Sequence, residues 1–360
     1  MITFVSGEYP PDIGGVGDYT AHLRTALGEA GHQSRVLSRH DVGRWNARAL
    51  VRVIRHTPIT GFLHIQYQAA AYDLLGDICL LPGALRVLRP GVKTLTTFHD
   101  LRVPYLFPRA GELRPAAIRL LARTSHAVLA ADQRDVTILR QVTEGAHHVP
   151  IGPNVACAPP AGYDRADFRR GQGLSPDELV VVYFGLLNAS KGLDLLVSTF
   201  ERILSHRPHA RLWLLGGPAG ASDPTDVVTG TRLSAQIQRL GPGVLRTGWL
   251  PPHDLSAHLL AGDVALLPYA DGASARRGSL LACAEHGLPI VSTRPAGAEV
   301  APYIRAVEPD VTSLAEAVLA ASEDRSPLAQ RSRELGAEVS WPRIAAAHIS
   351  IYRQLLYSRP

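Results

Sequence analysis

Lys191 is the residue whose type and setting most clearly invite chemistry. It lies in Val180–Val197, VVVYFGLLNASKGLDLLV, which reads as an apolar strand, a turn at Gly185, a polar loop through Asn188, one lysine, a second glycine and an amphipathic helix. A loop of this kind stands at the carboxyl end of a parallel strand, where open α/β sheets bind their ligands. The chain has only two lysines, Lys93 and Lys191; every other basic side chain except histidine is arginine. An ammonium at such a loop binds a phosphate as a compact point charge. The plainer alternative is a surface lysine beside an ordinary strand-to-helix turn.

Three further segments carry suitable groups. In GGVGDYT, Gly14, Gly15 and Gly17 let backbone N–H groups approach an anion at a helix N-terminus. The spacing is not the dinucleotide fingerprint, and no acidic residue caps the second strand. His99 and Asp100 directly follow the strand Thr94–Phe98, and the imidazole suits donation to a hydroxyl or proton sharing near neutral pH. In LLPYADGASARRGSLLACAEHGLPIVST, Arg276 and Arg277 precede Gly278, Ser279 and Leu280 at a helix start. Guanidinium groups with free N–H groups make a diphosphate site; a basic surface loop is the alternative. No Asp-x-Asp follows a strand, so neither metal nor cofactor is expected.

These groups need a scaffold, and the chain has material for one. Its 360 residues suggest two domains, and 46% hydrophobic with 19% charged residues is a globular composition. No apolar run reaches the ~18 residues of a membrane span. The start, MITFVSGEYPPD, has no secretory pattern, and Cys79, Cys157 and Cys283 are too far apart for a zinc motif or disulfide framework. The expectation is a cytoplasmic protein. The net charge of +5 resides entirely in residues 1–150, with 17 basic against 12 acidic residues, while residues 151–360 balance at 20 against 20. Arg44, Arg48, Arg52 and Arg55 share one helix face. That face suits an anionic membrane, although a solvated outer helix is the favoured reading. Nucleic acid is not expected, because the arginines are not interleaved with aromatics.

Short apolar runs alternate with helical patterns. Strands are expected at Ile2–Val5, Ser34–Ser38, Phe62–Gln66, Thr94–Phe98, Ala127–Ala130 and His147–Val149. A Pro- and Gly-rich stretch, 150–173, reads as a linker. Strands then resume at Val180–Phe184, Arg211–Leu215, Leu245–Thr247, Val264–Leu267 and Ile290–Ser292, and a helix covers Pro342–Leu356. The pattern predicts an α/β protein of two doubly wound parallel-sheet domains facing a central cleft.

The order of these pieces resembles the GT-B glycosyltransferases, in particular the retaining family 4, over nearly the whole chain. GGVGDYT resembles the family's N-terminal glycine loop, and LHIQY and TFHD its N-domain strands. FGLLNASKGLDLL resembles the donor loop, RTGWLPPHDLSAHLLAGDVALLPY and HGLPIVST the following segments, and SWPRIA the final crossover. The resemblance implies a Rossmann-like acceptor domain over 1–165, joined by helix 343–360, and a nucleotide-sugar domain over 170–342. It implies metal-independent transfer of a hexose-type sugar from a UDP- or GDP-sugar to a sugar, lipid-linked or small-molecule acceptor. His99, Asp100 and Lys191 would be catalytic. Gly14, Gly15, Gly17, Gly185, Asn188, Arg276, Arg277, Gly278, Ser279 and Leu280 would bind the donor. Two departures stand out. Leu186 occupies the place of the donor-loop arginine, and Ser274 and Ala282 occupy the places of two glutamates eight apart. Asp271 and Glu285 are the nearby carboxylates that would substitute, with Arg276 and Arg277 for the arginine. The alternatives are a non-catalytic partner that keeps the fold, or another enzyme such as a nucleotide-sugar epimerase or a phosphorylase.

Overall fold

The computed structural model describes residues 1–12, 14–101, 113–187, 191–217, 237 and 239–357. It divides into two compact units. The first comprises Met1–Gly152 with Trp341–Pro360, and the second Pro153–Ser340. Among the described residues each unit holds one six-stranded sheet, and every strand pair is parallel.

The first sheet contains β1 (Ile2–Ser6), β2 (Ser34–Leu37), β3 (Gly61–Tyr67), β4 (Val92–Phe98), β5 (Ala127–Ala130) and β6 (Ala146–His148) in the order β2-β1-β3-β4-β5-β6. Successive side chains alternate between its faces. Val5, Leu63, Ile65 and Phe98 join Trp45, Leu50, Leu85 and Leu121 in one core. Ile2, Phe4 and Leu95 join Tyr19, Leu23 and Leu27 of helix Gly15–Glu29 and Ile344, Ile351 and Tyr352 of helix Trp341–Tyr357 in the other. The final helix thus completes the core begun by the first strand.

The second sheet contains β7 (Val180–Phe184), β8 (Arg211–Leu215), β9 (Val244–Gly248), β10 (Val264–Leu267), β11 (Ile290–Thr293) and β12 (Arg305–Val307) in the order β12-β11-β10-β7-β8-β9. Its four inner strands, β11, β10, β7 and β8, are largely buried apolar runs, as expected of a parallel sheet covered on both faces.

Two features depart from the sequence reading. The Pro- and Gly-rich stretch 150–173 is not a plain linker but contains helix Arg165–Gly171, N-capped by the Asp164 side chain, which accepts from Asp167 N–H. Its buried Arg169 pairs with Asp263 at 3.0 Å and donates to the Ala261 carbonyl at 2.9 Å. A charge partner, rather than an apolar stripe, anchors this helix, so periodicity does not reveal it. The edge strand β12 was also unread; its three residues are too short for an alternation signal. No helix among the described residues is long and apolar enough to cross a membrane.

Candidate active site

In each sheet the strand order reverses beside its first strand, between β1 and β3 and between β7 and β10. The carboxyl ends of those strands are where open α/β sheets place ligands. Both points are lined by residues of the kinds the sequence singles out.

In the second unit, β10 runs into Pro268 and Tyr269, and the Tyr269 ring organises the site. Lys191 Nζ lies 5.4 Å from the ring centroid and Arg277 Cζ 4.6 Å from it. Two cations therefore lie against this one ring. Arg277 also forms an ion pair with Asp271. The Tyr269 hydroxyl and Ser279 Oγ are 2.7 Å apart, and the Tyr183 hydroxyl donates to the Leu186 carbonyl at 2.9 Å. Burial, and next the Arg277 charge, lower the Lys191 pKa to about 8, with Asp271 opposing. The ammonium stays charged at neutral pH, but at a cost that an anion would relieve.

Lys191 owes its place to Gly192. That residue has φ +68°, and a Cβ there would lie 1.8 Å from the Pro268 carbonyl oxygen. Only a residue without a side chain lets the Lys191 loop close onto the end of β10.

Helix Gly278–Glu285 begins beside these cations. Its first intrahelical bond runs from Leu281 N–H to the Arg277 carbonyl, which leaves the N–H groups of Gly278, Ser279 and Leu280 outside the helical ladder. Leu280 is fully buried, so its side chain belongs to the core. Arg276 is half-buried in the same loop, and Gly185 ends β7, where a Cβ would lie 3.6 Å from Ser279. The structure therefore gathers Lys191, Gly185, Asp271, Arg277, Gly278 and Ser279. It does not bring Glu285 to them: that residue closes the far end of the helix, about 10 Å along the axis at the usual rise. Its carboxylate accepts from the Cys157 backbone, and burial raises its pKa. Asn188 lies outside the described residues. Ala282 is fully buried, and no carboxylate stands at Ser274; beside it, Glu299 Oε1 accepts from Ala275 N–H at 3.5 Å. The sequence reading passed over Glu299 because it follows the next strand.

In the first unit, Gly14 is the N-cap of helix Gly15–Glu29, with extended backbone. The N–H groups expected to meet a ligand anion already meet one. Glu8 Oε1 accepts from Val16 N–H at 3.1 Å and from Gly17 N–H at 3.5 Å. A Cβ on Gly14 would lie 2.1 Å from that oxygen, so the glycine makes room for the carboxylate. The chain's own acid occupies the cradle, and its signal, a glutamate just after the strand, was legible but unread.

His99 follows β4 as expected from sequence. Its backbone N–H donates to the Tyr67 carbonyl at 3.0 Å, its ring meets Tyr19 edge-on at 4.9 Å, and its Nε2 lies 2.9 Å from Gln66 Oε1. An amide oxygen only accepts, so Nε2 carries the proton. Burial and the neighbouring His348 lower its pKa to about 3, and the ring is neutral at physiological pH. Asp100 accepts from Gln68 Nε2 at 3.3 Å. Beneath His99, the His64 Nδ1 lies 2.7 Å from the Tyr352 hydroxyl and its Nε2 lies 2.8 Å from Thr97 Oγ1. Among the described residues no group of three His, Cys, Asp or Glu side chains is placed to hold a metal ion.

Residues 178–324 match the sequence profile of the family described as Glycosyl transferases group 1. A curated relative, the D-inositol 3-phosphate glycosyltransferase of Segniliparus rotundus, is 24% identical over 224 residues, which is 59% of this chain. The matched region spans about half, 48%, of that relative's length. Among solved structures, sucrose-phosphate synthase from Thermosynechococcus elongatus superimposes with a TM-score of 0.74 at 20% identity, covering 99% of this chain and 98% of the other. HepE of Anabaena, solved with UDP-glucose, does so with a TM-score of 0.67 at 16% identity, covering 97% and 99%. Both likenesses bear on the fold, and the sequence match bears on the second unit. Residues 178–324 thus resemble the glycosyl transferases of group 1, and the two parallel sheets are those of the GT-B fold.

Proposed function

We propose that the protein is a retaining glycosyltransferase of the family 4 type that moves a hexose-type sugar from a UDP- or GDP-sugar to a hydroxyl acceptor. One observation carries this reading. Lys191 and Arg277 both lie against the Tyr269 ring at the switch point of the second sheet, beside the N–H groups that begin helix Gly278–Glu285. A nucleoside diphosphate is the leaving group that such a site is built to receive.

As the bond between the anomeric carbon and the β-phosphate oxygen breaks, negative charge grows on the diphosphate. Lys191, Arg277 and the N–H groups of Gly278 and Ser279 meet that charge without reorganising. The acceptor oxygen bonds to the anomeric carbon on the face the phosphate leaves. Its proton passes to a phosphate oxygen, so the nucleoside diphosphate departs protonated and the configuration is retained. Asp271 holds Arg277 until the diphosphate replaces it. Protein cations take the part a metal plays elsewhere, and activity is therefore expected in the presence of EDTA. The nucleotide belongs to the second unit and the acceptor to the first. The basic first unit suits a lipid-linked acceptor and peripheral contact with an anionic membrane.

The test is binding and slow hydrolysis of UDP-, GDP-, ADP- and dTDP-sugars by the wild type and Lys191→Ala. Hydrolysis of one donor, lost with Lys191→Ala together with at least about tenfold in affinity, is the expected result. Failure of every donor to bind at millimolar concentration overturns it. That outcome favours a second reading, a non-catalytic partner of the same fold, to which the absence of carboxylates at Ser274 and Ala282 points.

A further inference from the structure

Gln66 is polar and fully buried in β3, as is His64 two residues before it. It pairs in register with Ser6 of β1 on one side and Thr97 of β4 on the other, at the carboxyl end of β3 where the sheet order reverses. Its amide oxygen takes the His99 Nε2–H at 2.9 Å, while its amide nitrogen is buried with no partner among the described residues. A buried carboxamide left half-satisfied is costly, and a Leu or Val would pack there without that cost. The one bond it makes fixes the state of the ring of a half-buried residue. With Nε2 protonated and tied inward, Nδ1 keeps a bare lone pair, and no described residue hydrogen-bonds to it.

We propose that Gln66 is the positioning residue that locks His99 in the Nε2–H tautomer, so that His99 meets the substrate as a hydrogen-bond acceptor for a sugar or polyol hydroxyl. The inference deepens the glycosyl-transfer reading and rests on it for the substrate class. It also revises the role expected of His99, which is to accept from a hydroxyl and not to donate to one. Among the described residues, the groups that face the ring include the Tyr19 edge, His64, His348 and the Gln66 amide. None of them is a carboxylate able to hold an imidazolium.

The experiment is nitrogen NMR on protein labelled in its histidine rings, with kinetics on the donor identified above. In the wild type, His99 should show a protonated Nε2 and a bare Nδ1, neutral through pH 5. Gln66→Glu should keep that bond but place a carboxylate on it, moving the His99 titration up into the neutral range. Gln66→Leu should release the tautomer lock and lower kcat/KM by about tenfold, the worth of one hydrogen bond. It should add nothing in a His99→Ala background. A wild-type His99 protonated on Nδ1, an unchanged titration in Gln66→Glu, or full additivity with His99→Ala would each overturn the proposal. Thermal unfolding of both variants separates these results from misfolding. The NMR result stands if no donor is turned over, so failure of the proposal and failure of the glycosyl-transfer reading are told apart.

Discussion

At the scale of single residues, Lys191 makes the candidate site sensitive to pH. Its pKa is lowered from 10.5 to about 8, chiefly by burial and secondarily by Arg277. The unfolded chain therefore binds a proton that the free folded protein gives up between about pH 8 and 10.5. Stability contributed by this group rises across that window, and below it the buried charge is a standing cost. Ligand binding has the opposite slope, because a diphosphate needs the ammonium. Affinity for a nucleoside diphosphate should be level below about pH 7.5 and fall by up to about tenfold per unit above pH 8. Titration calorimetry across that range checks this. Lys191→Arg should remove the fall, since a guanidinium does not titrate there; a fall that persists in Lys191→Arg assigns it to another group.

At the scale of elements, the sites are products of strand ends and tight turns. Gly192 is the clearest case, since its Cβ would meet the Pro268 carbonyl at 1.8 Å and its φ is +68°. Gly192→Ala should destabilise the protein by at least about 2 kcal/mol and weaken nucleotide binding by moving Lys191 off Tyr269. Chemical denaturation and binding measured together test this, and a variant with unchanged stability would sink the account. The sequence made many of these elements legible because parallel strands buried on both faces read as short runs of Val, Ile and Leu. Lys191 and the arginine loop were legible from position alone, as polar residues following such runs. The Glu8 contact with Val16 and Gly17 was not, because sequence shows a glycine cradle without showing what fills it. Nor was the grip of Gln66 on His99, for residues 33 apart become neighbours only through the pairing of β3 with β4. The shared ring of Tyr269 likewise needs β7 beside β10, a pairing made across most of a domain's length.

At the scale of the whole molecule, charge is unevenly shared. Residues 42–99 hold seven basic side chains against two acidic ones, Asp73 and Asp77. Helix Ala47–His56 leaves Arg48, Arg52 and Arg55 exposed, and Val51, Ile59, Val87 and Leu88 of the same unit are exposed apolar groups. Basic and apolar side chains together favour an anionic lipid surface. The protein should co-sediment with vesicles of phosphatidylglycerol at low salt and not with phosphatidylcholine. Replacement of Arg48, Arg52 and Arg55 by glutamine should weaken binding by roughly 1 kcal/mol per residue. Equal recovery with both vesicle types would dismiss the membrane contact.

The final helix also governs the order in which the protein can be made. Strand β1 and helix Gly15–Glu29 are synthesised first, yet the core between them is closed by Ile344, Ile351 and Tyr352. The second unit, Pro153–Ser340, is contiguous and is translated in full before those residues. The part of the chain that leaves the ribosome first is therefore the last to be finished. It waits with one face of its sheet partly uncovered while a complete domain is synthesised behind it.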